Sequence, residues 1–367
     1  MNSEPPPRML QSLTRVPRLL LAVAGCGLGL SATAKMEEWK DSQGTSFRAE
    51  PAGSLGPFAL FRSSPTTGRR LAWRFLSPAD CVRFYELTKT KPGRADDWAK
   101  ASGLVTREMI GNVRRVEGEK LVAADLTGRP EPEVIIVFFV SNSVSASWGM
   151  LGHSGPAIEK LKQSFPGQLE GLFFGLRHSV IEHAGMAAQM KVTWLVTDLR
   201  EQRRLETLAR FAPPEGEFSL VALNRDGVLL FVASSPTEPQ MDKFFGDVTA
   251  LLELAQPGNP HSWPDRAAYL RAVQPVIYAH GRSEPVLMGN PFVAEGLKQR
   301  KIRRIDARIE VAADGEVKTV TIGEDGGVPA NLMAPLSDAL KKACLFVPAV
   351  ENGSFVDATF AYHMEIP

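Results

Sequence analysis

Residues 133–155 read EVIIVFFVSNSVSASWGMLGHSG, and they decide how the middle of the chain folds. The run 134–140 is β-branched or aromatic throughout, the composition of a strand buried on both faces in a sheet covered by helices. It breaks into Ser, Asn and Gly. After Ser145, Ala146, Ser147 and Trp148 comes a segment with Ile158, Leu161 and Phe165 on one side, and this spacing predicts an amphipathic helix over 155–165. The block is therefore strand, loop, helix.

Outward from it the same alternation continues. A strand is expected at 171–176, a helix at 181–190, a strand at 193–196 and a helix at 202–211. The apolar runs on either side of Arg225-Asp226-Gly227 predict a hairpin over 219–233, because Asp-Gly suits the tight turn that twisted strands need. A last helix is expected at 241–255. Strands alternating with helices, closed by an antiparallel hairpin and one more helix, give an α/β domain with a mixed sheet.

Ser145-Ala146-Ser147-Trp148, followed by Gly149-Met150-Leu151-Gly152, resembles the SASWC-x-x-C signature of the tryparedoxin and nucleoredoxin branch of the thioredoxin superfamily. Met190-Lys191-Val192-Thr193-Trp194-Leu195 and Leu220-Val221-Ala222-Leu223-Asn224-Arg225-Asp226-Gly227 are similar to two further segments of that branch. The resemblance implies a thioredoxin-like domain over 128–255, with Gly149 and Gly152 standing where the family carries its two cysteines. In the family the helix N-terminus and the second thiol make the first thiol a nucleophile; glycine supplies neither thiolate nor exchange partner. The resemblance also puts Phe218 at the position of a cis-proline, a bond essentially confined to proline, and Pro213 and Pro214 do not replace it. Trp148, Gly149, Gly152 and Phe218 thus mark a degenerate redox site, with no catalytic residue, cofactor or metal expected.

The 367 residues carry 44% apolar and 23% charged side chains and a formal net charge of +1, which points neither to nucleic acid nor to a strongly charged partner. Arg8, Arg15 and Arg18 precede an apolar run, 19–30, ending at Ser31-Ala32-Thr33-Ala34. This pattern predicts a signal peptide over 1–34, with cleavage after Ala34 and Lys35 as the mature N-terminus. Val23-Ala24-Gly25-Cys26 offers an alternative, a lipoprotein anchored through Cys26. The apolar run is shorter than the roughly 20 residues of a permanent span, so no retained transmembrane helix is expected if the signal peptide is cleaved. The expected location is the periplasm or the exterior. Beyond Cys26 only Cys81 and Cys344 remain, too few for a disulfide framework, and each reads as a small buried apolar residue.

Residues 36–88 alternate in strand-turn-strand fashion and end on Ser77-Pro78, a helix cap with proline in the first turn. With Trp39 and Gly44 at the start and Leu76-Ser77 at the end, this segment resembles the small SH3-like barrel of the Sla-homology type; Trp39 and Trp73 read as core aromatics. Residues 89–127 read as a connector with short helices at 95–101 and 106–113. Residues 256–290 read as an ordered linker around a helix at 264–273. The last segment, 291–367, predicts two strands about Asp314-Gly315, a helix at 332–343 and a final strand over 355–364. Phe346-Val347-Pro348-Ala349 and Asn352-Gly353 resemble the C-terminal domain of TonB-type proteins, an α+β fold whose final strand pairs with a partner. Phe355, Thr359 and Tyr362 are the residues of that candidate partner-binding strand. His178 and His183, five apart, do not share a helical face as i,i+4 ligands would, and His153 adds no metal pattern.

The sequence therefore predicts an exported non-enzymatic protein of three modules that binds protein or peptide partners in the cell envelope. Two alternatives stand beside it: a component of a TonB-type transport system, and a thiol oxidoreductase whose nucleophile has moved, Cys81 being the candidate.

Overall fold

The computed structural model describes residues 36–366 apart from 142–145, 177–179, 190, 191, 199, 215, 216, 290–299, 301 and 324–326. The cleavage site at Ala34, the candidate lipid anchor at Cys26 and His178 therefore lie outside the described residues, as do the side chains of Trp148, Gly149 and His183.

The first four strands, β1 (Glu37–Lys40), β2 (Ser46–Leu55), β3 (Phe58–Ser64) and β4 (Thr67–Ala72), form an antiparallel sheet in sequence order. Both of its faces are buried. Along β3, Ala59 and Phe61 pack with Trp39, Trp73 and Phe84, while Leu60, with Ala52 and Leu55 of β2, joins the core of the central sheet. Helix α1 (Pro78–Thr88) starts as the sequence predicts, with the Asp80 N–H donating to Ser77 Oγ at 3.1 Å.

Helix α2 (Leu104–Met109) is followed by a hairpin, β5 (Val113–Glu117) and β6 (Lys120–Ala123), which pairs through β5 with the central sheet. The expected helix at 106–113 is thus corrected to an earlier, shorter one, and the connector contributes two strands. Its charges mask the apolar residues Val113, Val116 and Leu121 that face inward.

The central sheet is built from β7 (Val134–Ser141), β8 (Leu169–Leu176), β9 (Leu195–Thr197), β10 (Ser219–Asn224) and β11 (Leu229–Ser234). Its order is β11-β10-β7-β8-β9-β5-β6, with β7, β8 and β9 parallel and the rest antiparallel. Helices α3 (Ala146–Ser164), α4 (Val180–Gln189), α5 (Glu206–Ala209) and α6 (Glu238–Ala255) complete the block. Strand β7 is buried on both faces as its composition predicts: Val134, Ile136, Phe138 and Val140 belong to one core, Ile135, Val137 and Phe139 to the other. Helix α3 begins nine residues before the expected start, because Gly149, Gly152, Gly155 and Pro156 lower the helical signal of its first turns. The 202–211 helix shrinks to a 3-10 turn and α5. Gly227 turns the β10–β11 hairpin with φ +79°, a conformation that costs glycine nothing.

Helix α7 (Trp263–Ile277) is longer than the linker reading predicts and lies at the centre of the packing. Tyr269 and Ala272 close the aromatic core of the first sheet, and Ala267, with Trp263 and Leu270, packs on Met288 and Val347. Strands β12 (Arg282–Ser283), β13 (Val286–Leu287), β16 (Phe346–Val347), β17 (Ala349–Glu351) and β18 (Ser354–Val356) make two small antiparallel sheets. Strands β14 (Arg304–Val311), β15 (Val317–Ile322) and β19 (Ala358–Glu365), ordered β15-β14-β19, cover helix α8 (Ala330–Ala343) through Ile305, Ile309, Leu336, Leu340 and Tyr362. The expected final strand is split at Asp357 into β18 and β19.

Candidate functional site

Strand β7 leads to the first turn of α3, the place where the sequence puts its degenerate site. Trp148 and Gly149 lie in that turn. Gly152, one turn on, is exposed, and a Cβ built there would meet no atom within 4 Å. The helix is fixed just behind it: His153 Nε2 lies 2.9 Å from Asp242 Oδ1 on α6, and the buried Ser154 hydroxyl donates to Met241 Sδ at 3.5 Å.

Phe218 precedes β10. Its ring is buried in the core beside Phe138, centroids 6.4 Å apart, and its carbonyl accepts the Ser235 N–H at 2.8 Å. No cis peptide bond occurs among the described residues. The ring therefore fills core volume. Next to it, the Ser219 hydroxyl is buried without a hydrogen-bond partner among the described residues.

Both remaining thiols are described. Cys81 in α1 is buried, its S–H directed at the Trp73 carbonyl at 3.7 Å; burial, reinforced by the Asp80 charge, pushes its pKa up to about 12. Cys344 follows α8 half-buried, and burial pushes it up to about 11. Low dielectric disfavours the thiolate in both cases. Cys81 belongs to the core of the first sheet and Cys344 packs against that of the last, whereas α3 packs on the central core through Ile158, Leu161 and Phe165.

The structure brings Thr359 and Tyr362 together on β19 but puts Phe355 on β18, in a different sheet. Thr359 is exposed. Tyr362 faces α8, its hydroxyl donating to Met364 Sδ at 3.2 Å, and burial pushes its pKa up to about 12. The Ile366 N–H donates to the Arg303 carbonyl at 2.8 Å, which fixes the alternation of the β14–β19 ladder. With Thr359 opposite Glu310 and Glu365 opposite Arg304, the N–H groups of Thr359, Ala361, His363 and Glu365 point away from β14.

One group escapes a sequence reading. Glu131, between two prolines, is fully buried and accepts from the Ala95 N–H (2.9 Å), the Gly103 N–H (2.8 Å), Thr106 Oγ1 and Arg225 Nη1 (3.1 Å). Burial pushes its carboxyl up, but the hydrogen bonds and the guanidinium outweigh it and hold the pKa at about 2. Arg225 also donates to Ser102 Oγ and the Pro92 carbonyl, so the hairpin turn is tied to residues 92–106. All of these donors are committed, which makes the cluster a structural tie. The Pro-Glu-Pro context was its only sequence signal.

Among the described residues no cluster of His, Cys, Asp and Glu is arranged to hold a metal ion, and no helix is long and apolar enough to cross a membrane.

No family model matches the chain, and no curated protein matches it in sequence. Solved structures similar to it include native tryparedoxin I from Crithidia fasciculata (14% identity over 35% of this chain and 84% of that one, TM-score 0.25). A peroxiredoxin Q variant from Xanthomonas campestris is similar at 11% identity over 36% and 87% (TM-score 0.28). Thioredoxin from Wuchereria bancrofti is similar at 13% over 38% and 97% (TM-score 0.27). These neighbours are thioredoxin-like, and they cover about a third of the chain.

Proposed function

We propose that the chain is an exported, non-catalytic interaction protein of the cell envelope. Its parts are an SH3-like N-terminal sheet, a thioredoxin-like domain that has lost its dithiol and a TonB-like C-terminal domain. The observation that carries this reading is Gly152: at the second thiol position the chain offers open space and no side chain. A displaced nucleophile is disfavoured by the same chemistry. A thiol with a pKa of about 12, as at Cys81, is ionised to roughly one part in 10⁵ at pH 7.

Binding is assigned to the edge strand β19, whose outward N–H groups can pair with an extended segment of a partner. The first sheet serves as a wedge between the central core and α7, since Trp39 and Trp73 are both buried. Export follows from the segment before Lys35, with cleavage after Ala34 and a periplasmic or secreted location; lipidation at Cys26 is the alternative, and N-terminal sequencing of envelope material distinguishes them.

The test is capture of partners from an envelope extract on the immobilised chain, against the same chain carrying Thr359→Pro. The Thr359 N–H faces away from β14, so proline removes an outward donor and leaves the internal ladder whole. Capture lost with the fold retained supports the reading; equal capture by both removes β19 from it.

A further inference from the structure

The central sheet ends at β11, and only the first half of that edge is covered. Gly68 in β4 approaches Leu229 so closely that a Cβ at residue 68 would run into the Leu229 carbonyl. Beyond it the edge is open among the described residues. The Ser235 N–H donates to the Phe218 carbonyl, and Ala233 lies opposite Leu220 and Phe231 opposite Ala222. Hydrogen-bonded pairs alternate along an antiparallel ladder, so the N–H and C=O groups of Val232 and Ser234 point away from β10. The Val232 side chain is 54% exposed, the most of any large apolar residue described.

The opposite face of the same segment opens on a cavity of about 310 Å³ between β11 and α6, lined by Phe231, Pro236, Gln240, Lys243, Phe244 and Asp247. Phe231 and Phe244 meet edge to face, centroids 6.4 Å apart. The Arg70 guanidinium lies 3.9 Å above the Phe231 ring, partly buried, and it feels the Asp247 carboxylate. Lys243 pairs with Asp247 at 2.6 Å. Two cations and one anion thus surround an apolar pocket beside an open strand edge.

We propose that Val232–Ser234 receives an extended, acidic segment of a partner protein as an added strand. Its main chain pairs with Val232 and Ser234, one apolar side chain enters the Phe231–Phe244 cavity, and a carboxylate reaches Arg70 from the rim. Side chains of an added strand alternate between faces, so one residue can fill the cavity while its neighbours stay at the edge. The excess positive charge selects acidic over basic segments, and the fork of Arg70 matches a carboxylate. This surface is separate from β19.

The experiment uses the whole chain and two labelled, capped octapeptides, one alternating valine with glutamate, the other valine with lysine. Fluorescence anisotropy should show saturable binding of the glutamate peptide, with the lysine peptide weaker by about tenfold or more. Val232→Pro should abolish binding at this edge, and Arg70→Gln should weaken it about tenfold by removing a charge-assisted contact. Arg70→Gln keeps the test decisive should the proline variant fail to fold. Equal binding of both peptides, no binding of either, or binding unchanged by both Val232→Pro and Arg70→Gln would overturn the proposal. A dimer that dissociates on Val232→Pro, without peptide binding, would put a second copy of the chain at this edge and overturn it equally.

Discussion

The indole of Trp73 stacks on the ring of Tyr269, centroids 4.0 Å apart and planes at 28°. Trp73 follows the first sheet and Tyr269 sits on α7, nearly 200 residues later, so this pair closes the first core from a distant part of the chain. Nearby, Arg74 Nε lies 3.4 Å from Asp265 Oδ1. The packing of residues 36–366 is continuous through these contacts.

Tyr269→Ala should therefore destabilise the whole chain. It removes a stacked ring from a closed core, at a cost of about 2–4 kcal/mol. Denaturant unfolding followed by tryptophan fluorescence and by circular dichroism should shift together in one transition. An N-terminal sheet melting separately from the rest would contradict the shared core.

A second expectation concerns acid. The Glu131 pKa, about 2 in the folded chain, lies below its unfolded value of about 4.3. A depressed carboxyl contributes stability that is fully present above the unfolded pKa and lost as pH falls through the folded one. The contribution, of order 3 kcal/mol, should thus fade between about pH 4.5 and pH 2. Glu131→Gln should lower stability by a similar amount at pH 7 and flatten that part of the pH profile, measured by urea unfolding at a series of pH values. A profile unchanged by the substitution would mean that Glu131 is not held as an anion.

Two glycines should respond with opposite signs. Gly152→Ala adds a methyl to open space on an exposed helix position and should stabilise by about 0.5–1 kcal/mol. A Cβ at Gly171 would come within 2.5 Å of the Trp194 ring and 2.8 Å of Ile158 Cγ2, so Gly171→Ala should destabilise by about 1–3 kcal/mol. Thermal melts of the two variants decide both signs.

Much of this fold can be read locally. Residues 134–140 announce a strand with two buried faces, Asp226-Gly227 a hairpin and Ser77-Pro78 a helix start, because each signal lies within a few residues. What escapes reading depends on partners far away. The charges around Val113 and Leu121 look like a solvated connector until β9 is there to pair with β5. Helix α7 looks like a linker because its apolar residues serve two different cores, Tyr269 and Ala272 one, Ala267 and Leu270 the other. At the candidate site, the glycines at 149 and 152 are plain in the sequence. The burial of Phe218 is not, since composition does not say whether a ring fills a groove or a core.

The absence of thiol chemistry is the claim most open to direct measurement. With glycine at 149 and 152, where the resemblance would put two cysteines, and with Cys81 and Cys344 burdened by burial, the purified chain should reduce a disulfide substrate such as insulin no faster than buffer with dithiothreitol alone. The double variant Cys81→Ala, Cys344→Ala should behave identically. Turnover above background in both proteins, in preparations free of thioredoxin, would contradict the non-catalytic account, and turnover lost with either cysteine would identify a displaced nucleophile.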